Sequence, residues 1–208
     1  MTTLLSRSPK QGLPPVGDPP SRRFSVKEYH QLIDIGILGP KDPYHLLNGV
    51  IRYKMPQNAP HISTTMKLSQ LFWLMLAGKY LVLTDKPVTF INSQSEPEPD
   101  FAITLGPITR FDEVKPASNE VLLIVEVSYS TLVADRGEMM EIYAGGKIPE
   151  YWIVNLVDNI IEVYTNPRGG KKPTFRTHTD YTAGQSVPVI LQGKQIGMIA
   201  VSAILPGG

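Results

Sequence analysis

The chain has 208 residues, enough for one domain with a sizeable core. A net charge of +1 with 42% hydrophobic and 19% charged residues describes an ordinary globular protein and gives no sign of a general polyanion binder, though it leaves room for a local basic groove. The absence of cysteine rules out disulfides and thiolate chemistry and suits a cytoplasmic protein.

Residues 1–22 hold Pro9, Pro14, Pro15, Pro19 and Pro20 with little apolar content, which predicts a disordered leader before a single domain over 23–208. Met1 opens no secretory apolar region, and the longest apolar stretch in an expected helix, Leu71 to Ala77, is too short to cross a bilayer. Ser25 caps an amphipathic helix carrying Val26, Tyr29, Leu32 and Ile33, and Gly36 ends it. Tyr44–Leu47 and Val50–Lys54 flank Asn48-Gly49, a strong hairpin signal. A second helix from His61 is expected to present Ile62, Met66, Ser69, Leu71, Phe72 and Met75 on one apolar side, stopping at Gly78. Leu81–Leu83 and Val88–Ile91 then read as a strand pair around Asp85-Lys86-Pro87.

The central block begins at Asp100, ahead of the apolar stretch Phe101-Ala102-Ile103-Thr104. Val121 to Ser128 is an apolar, β-branched run interrupted by one carboxylate, Glu126, and reads as a strand buried on both faces. Alternation puts Glu126 on a face with Leu122, Ile124 and Ser128. A helix over about Thr131–Ala144 and the apolar strand that Ile148–Asn155 leads into complete a parallel crossover, and Asp158-Asn159 turns the chain back into Ile160–Tyr164. Short strands follow at Thr174–His178, Val187–Leu191 and Met198–Val201. The sum is a mixed α/β domain: a central sheet, helices on its faces and an extra antiparallel layer.

Burying an ionised carboxylate without a partner costs several kcal/mol, so Glu126 needs a metal, a cation or a proton. Two readings follow. With Asp100 it forms the pair of hard oxygen donors that Mg²⁺ takes, its other positions going to water and phosphate. Alternatively Glu126 pairs with an arginine, Arg136 being the candidate, and Asp100 caps a turn.

Pro99-Asp100, Glu126-Val127-Ser128, Asp135-Arg136-Gly137-Glu138, Tyr143-Ala144 and Ile148-Pro149-Glu150-Tyr151-Trp152 together resemble the Uma2 family, as do Asn48-Gly49, Lys54-Met55-Pro56-Gln57 and His61. The resemblance runs over about 24–205. It implies a restriction-endonuclease-like fold and the PD-(D/E)XK nuclease scheme. Asp100 and Glu126 would bind Mg²⁺ (or Mn²⁺), the Val127 carbonyl would lend a third oxygen, and DNA would be the substrate. Nucleases of this fold often act as homodimers on two strands, although no residue here displays that.

Two departures bear on activity. The family's lysine in a pattern like Asp-Arg-Gly-Glu-Lys falls on Met139, and Ser128, at the plain scheme's lysine position, is not basic either. Loss of one positioned cationic donor slows such chemistry by about 10²–10³. Arg136, three residues before Met139 on an α-helix, is the candidate replacement, with Lys54 behind it. His45 stands where the family carries an acid and is expected to be an exposed hairpin residue. His61 is a candidate phosphate or substrate contact. Tyr143, Tyr151 and Trp152 fit core packing, and Arg168, Lys171 and Lys172 fit a solvated turn. The sequence thus supports a metal-dependent endonuclease slowed by Met139, or a degenerate nuclease fold that binds nucleic acid or protein without cutting.

Overall fold

The computed structural model describes residues 22–39, 42–76 and 78–205. The expected leader therefore lies, Arg22 apart, outside the described residues. Helix α1 (Val26–Asp34) opens with a complete capping box: Ser25 accepts the Glu28 N–H, and the Glu28 carboxylate accepts the Ser25 N–H. Strands β1 (Tyr44–Leu47) and β2 (Val50–Tyr53) form the expected hairpin. Its turn places Asn48 and Gly49 at φ 49° and 75°, and a Cβ on Gly49 would sit 2.9 Å from the Phe24 carbonyl, so only glycine fits. Val26, Tyr29 and Leu46 bind α1 to this hairpin in a small core of their own. Buried Glu96 ties the unit to the main body by accepting from His30 at 2.7 Å, Lys115 at 2.5 Å and Thr89 at 3.0 Å.

The main body is one six-stranded sheet in the order β3 (Tyr80–Thr84), β4 (Phe101–Leu105), β5 (Val121–Ser128), β6 (Glu150–Asn155), β7 (Ile160–Arg168), β8 (Thr174–Tyr181). Only β5 and β6 run parallel. One face packs on α2 (Ala59–Leu76), the hairpin β9 (Ser186–Leu191)–β10 (Lys194–Ala200) and α5 (Val201–Ile204) through Phe72, Phe101, Val125 and Trp152. The other packs on the crossover helix through Ile124, Tyr143, Tyr151 and Tyr164. Two buried faces explain why β5 and β6 read as continuous apolar runs.

Four expectations change. Val88–Ile91 is not the partner of β3; β4 is, and Thr89 and Phe90 make only isolated bridges to Ala117 and Ser95. Leu122 leaves the Glu126 face because a bulge pairs Ile103 with Leu123 but Thr104 with Val121, which turns Leu122 towards the α2 core. On α2 the fully buried residues are Thr64, Leu68, Phe72 and Leu76, four apart, and the expected Leu71 and Met75 pack beside them, whereas Ile62 and Met66 point outward. The crossover helix is interrupted: α3 (Leu132–Ala134) passes through a π-helical turn (Asp135–Met139) into α4 (Met140–Gly145).

Candidate metal centre

The antiparallel register that sets Phe101 opposite Val125 carries Asp100 opposite Glu126, on the crossover-helix face. Two like charges directly across a ladder repel. They are nevertheless laced together: the Asp100 N–H donates to Glu126 Oε2 at 3.2 Å, and the N–H of Val127 donates to Asp100 Oδ2 at 2.7 Å. Both acids are buried. Tyr143, from α4 beneath, donates its hydroxyl to Glu126 Oε1. His61, in the first turn of α2, sets Nε2 3.1 Å from Asp100 Oδ2. Asp135, on the π turn, accepts a 2.7 Å bond from the Ser128 hydroxyl.

Titration follows the crowding. Burial, reinforced by the charges of Asp100 and Asp135, pushes Glu126 well above the usual carboxylate range. Burial likewise raises Asp135 to about 6 despite the hydroxyls of Thr131 and Ser128. For His61, burial pulls downward, but the hydrogen bond and charge of Asp100, with Asp85 and Asp135 behind it, leave the imidazole above its ordinary value.

These groups line a cleft of about 300 Å³ whose walls come from β2, the start of α2, the end of β5 and the π turn. Among the described residues, Asp85, Glu98, Asp100, Glu126, Asp135 and Glu138 face two permanent cations there, Arg52 and Lys54. Arg52 lies 3.5 Å from Glu138, and Lys54 is paired with Glu98. Among the described residues Glu126 has no salt bridge. The arginine-pair reading of Glu126 is therefore not met, while buried, mutually repelling hard-oxygen donors fit a divalent cation. Among the described residues no group of three or more His, Asp or Glu is arranged to hold a metal ion by itself.

Arg136 is not brought to the cleft. Its guanidinium grips buried Glu162 with Nε to Oε2 at 3.0 Å and Nη2 to Oε1 at 2.6 Å, and touches Asp158 at 3.4 Å. The π turn is the reason. Its wider i→i+5 coil turns each residue through a smaller angle, so residues three apart no longer share a face. Met139 faces the cleft and Arg136 faces β7. His45 also differs from expectation: it lines the cleft, half-buried, and burial together with Lys54 holds its imidazole down at about 4. Asp85 and Tyr143 were missed as site residues. The Asp85 signal was its turn before Lys86-Pro87, while Tyr143 looked like core and is core, with only its hydroxyl reaching the acid.

The Uma2 family profile, described as "Putative restriction endonuclease", matches residues 26–196. The chain belongs to the Uma2 family. Among solved structures it is similar to a "putative nuclease belonging to DUF820" from Anabaena variabilis ATCC 29413, with TM-score 0.62, 12% identity, 87% of this chain covered and 97% of that one. At that identity the likeness speaks for the fold, and it agrees with the restriction-endonuclease-like sheet expected of an Uma2 chain. No curated protein matches. Among the described residues of this Uma2 chain, no helix is long and apolar enough to cross a membrane.

Proposed function

We propose that the cleft is the centre of a metal-dependent endonuclease acting on DNA phosphodiesters at a reduced rate. The observation that carries this reading is the Asp100–Glu126 pair, buried side by side with, among the described residues, no counter-cation on Glu126. Asp100 and Glu126 are the residues that would hold Mg²⁺ or Mn²⁺, and the carbonyl of Val127, a cleft-lining residue, would be the third oxygen. When bound, the cation supplies activation of a water and neutralisation of charge at the phosphoryl centre. Tyr143 and His61 orient the two carboxylates through their hydrogen bonds. The acidic excess of the cleft repels a polyanion until such a charge is present. Met139 adds none, and Lys54 contributes an ammonium already bound to Glu98. The family name, the fold and the acid pair support hydrolysis; the Met139 position supports a slow one.

A second reading, a nuclease fold that binds DNA without cutting it, is favoured by one observation: Arg136 is committed to Glu162, so the missing lysine is not replaced from its own helix. Plasmid nicking with Mg²⁺ or Mn²⁺ separates the two. Slow nicking by the wild type that disappears in Glu126→Ala and rises about 10²–10³-fold in Met139→Lys is the expected result. Nicking only in Met139→Lys selects the binding protein. Inactivity of both, with no DNA binding, overturns the assignment.

A further inference from the structure

Helix α2 is apolar on two sides. Thr64, Leu68, Phe72 and Leu76 face the core, whereas Ile62, Met66 and Trp73 face outward at 45%, 68% and 60% exposure, bordered by Leu74 at 78%. A helix apolar all round is normally buried all round. These four side chains, one of them aromatic, leave an apolar patch on the order of a few hundred Å², the size range in which surface patches are often functional. The outward residues are not scattered. Ala59, Ile62, Met66, Ser69 and Trp73 alternate in steps of three and four, the spacing of a coiled-coil seam.

We propose that this seam pairs with the α2 seam of a second copy of the chain, antiparallel about a two-fold axis between Lys67 and Leu68. In that register Ile62 meets Trp73 of the other copy, and Met66 meets Ser69, so each contact sets a large side chain against a smaller one. The face suits itself in charge as well. α2 contains no acid, and its one internal cation, Lys67, is turned aside to donate to the Leu205 carbonyl at 3.3 Å. The residues flanking the seam (Ser63, Thr65, Gln70) are uncharged. Two copies therefore meet without like-charge repulsion. An anionic lipid surface would want a basic rim, which the helix lacks. The pairing places the two His61 residues about 20 Å apart along the shared axis. It does not rest on the nuclease reading, because it is tested without any activity.

Sedimentation velocity at concentrations up to about 100 μM is the test. The wild type is expected at twice the 23.0 kDa chain mass, and Met66→Glu with Trp73→Glu as a monomer. Both positions are exposed, so an unchanged circular dichroism spectrum and thermal midpoint show that the fold is kept. Orientation is read with cysteines, which the natural chain lacks. Under mild oxidation, a mixture of Ile62→Cys and Trp73→Cys chains should cross-link to each other, and Ile62→Cys alone should not. A monomeric wild type, a dimer that survives the glutamates, or cross-linking of Ile62→Cys alone overturns the proposal.

Discussion

Asp100 and Glu126 face each other across the β4–β5 ladder, each held by an amide of the opposite segment: the Asp100 amide on the Glu126 carboxylate, and the Val127 amide on the Asp100 carboxylate. This lacing fixes two acids at one point, where burial and their neighbours' charge disfavour a second ionised carboxylate and favour a bound cation or proton. Cation binding should therefore be visible as stability. At a hundred times the dissociation constant, Mn²⁺ should stabilise the wild type by about 2.7 kcal/mol, about 5–10 °C in thermal midpoint for a chain of this size. Asp100→Asn and Glu126→Gln should show no such rise. Glu126→Gln should also melt higher than the wild type at pH 8 without metal. The sign follows from the raised Glu126: its favourable protonated form is present below the ordinary carboxylate value and lost as pH climbs. Scanning fluorimetry checks both outcomes, and an undiminished Mn²⁺ shift in both variants removes the metal centre.

The Tyr143 hydroxyl is the sole side-chain donor to Glu126 among the described residues. Removing it frees a carboxylate rotamer without touching the acid. Tyr143→Phe should weaken Mn²⁺ binding about 10-fold, at the lower end for groups that orient a ligand. Calorimetric titration reads this directly, and equal affinities would make Tyr143 a packing residue only.

Arg136 should matter to the fold and not to the reaction. Glu162 also accepts from Asn155 at 2.8 Å and Tyr164 at 2.6 Å, and burial's upward pull on it is outweighed by Arg136 and these donors, so it sits below the usual range. Arg136→Met leaves that buried charge short of its cation. The cost should be about 2 kcal/mol in urea unfolding at pH 7, less than for a fully buried pair because Arg136 is half-exposed. A lowered carboxylate adds stability above its ordinary value and loses it as pH falls through the folded value, so variant and wild type should converge in acid. Arg136→Met with Glu162→Gln should recover most of the loss. A selective drop in nicking by folded Arg136→Met would return Arg136 to the site.

Glu150 opens β6 at the end of the sheet remote from the cleft, buried, with the Trp152 indole as its donor, and burial raises it to about 7. Its protonated form favours folding: the contribution is complete below about 4.5 and fades as pH rises through about 7. Glu150→Gln should leave stability nearly unchanged at pH 4.5 and raise it by up to about 3 kcal/mol at pH 8.5. Urea denaturation at the two values is the check. A pH-independent difference would mean that Glu150 is solvated in solution.

The sequence by itself determined the elements whose causes are local. Asn48-Gly49 forced a tight hairpin, Ser25 and Glu28 made a capping box, and an apolar run around Glu126 required a strand buried on both faces. It also singled out Asp100 and Glu126, because a carboxylate among β-branched residues stands out at any distance along the chain. Tertiary structure alone decided the rest. The bulge at Leu122, the true partner of β3 and the approach of His45, Asp85 and Tyr143 to the acids depend on register and packing between remote segments. Arg136 and Met139 show this most sharply. An α-helix would have set them on one face, but a single π-helical turn sends one to Glu162 and the other to the cleft, and no pattern of hydrophobicity encodes that turn.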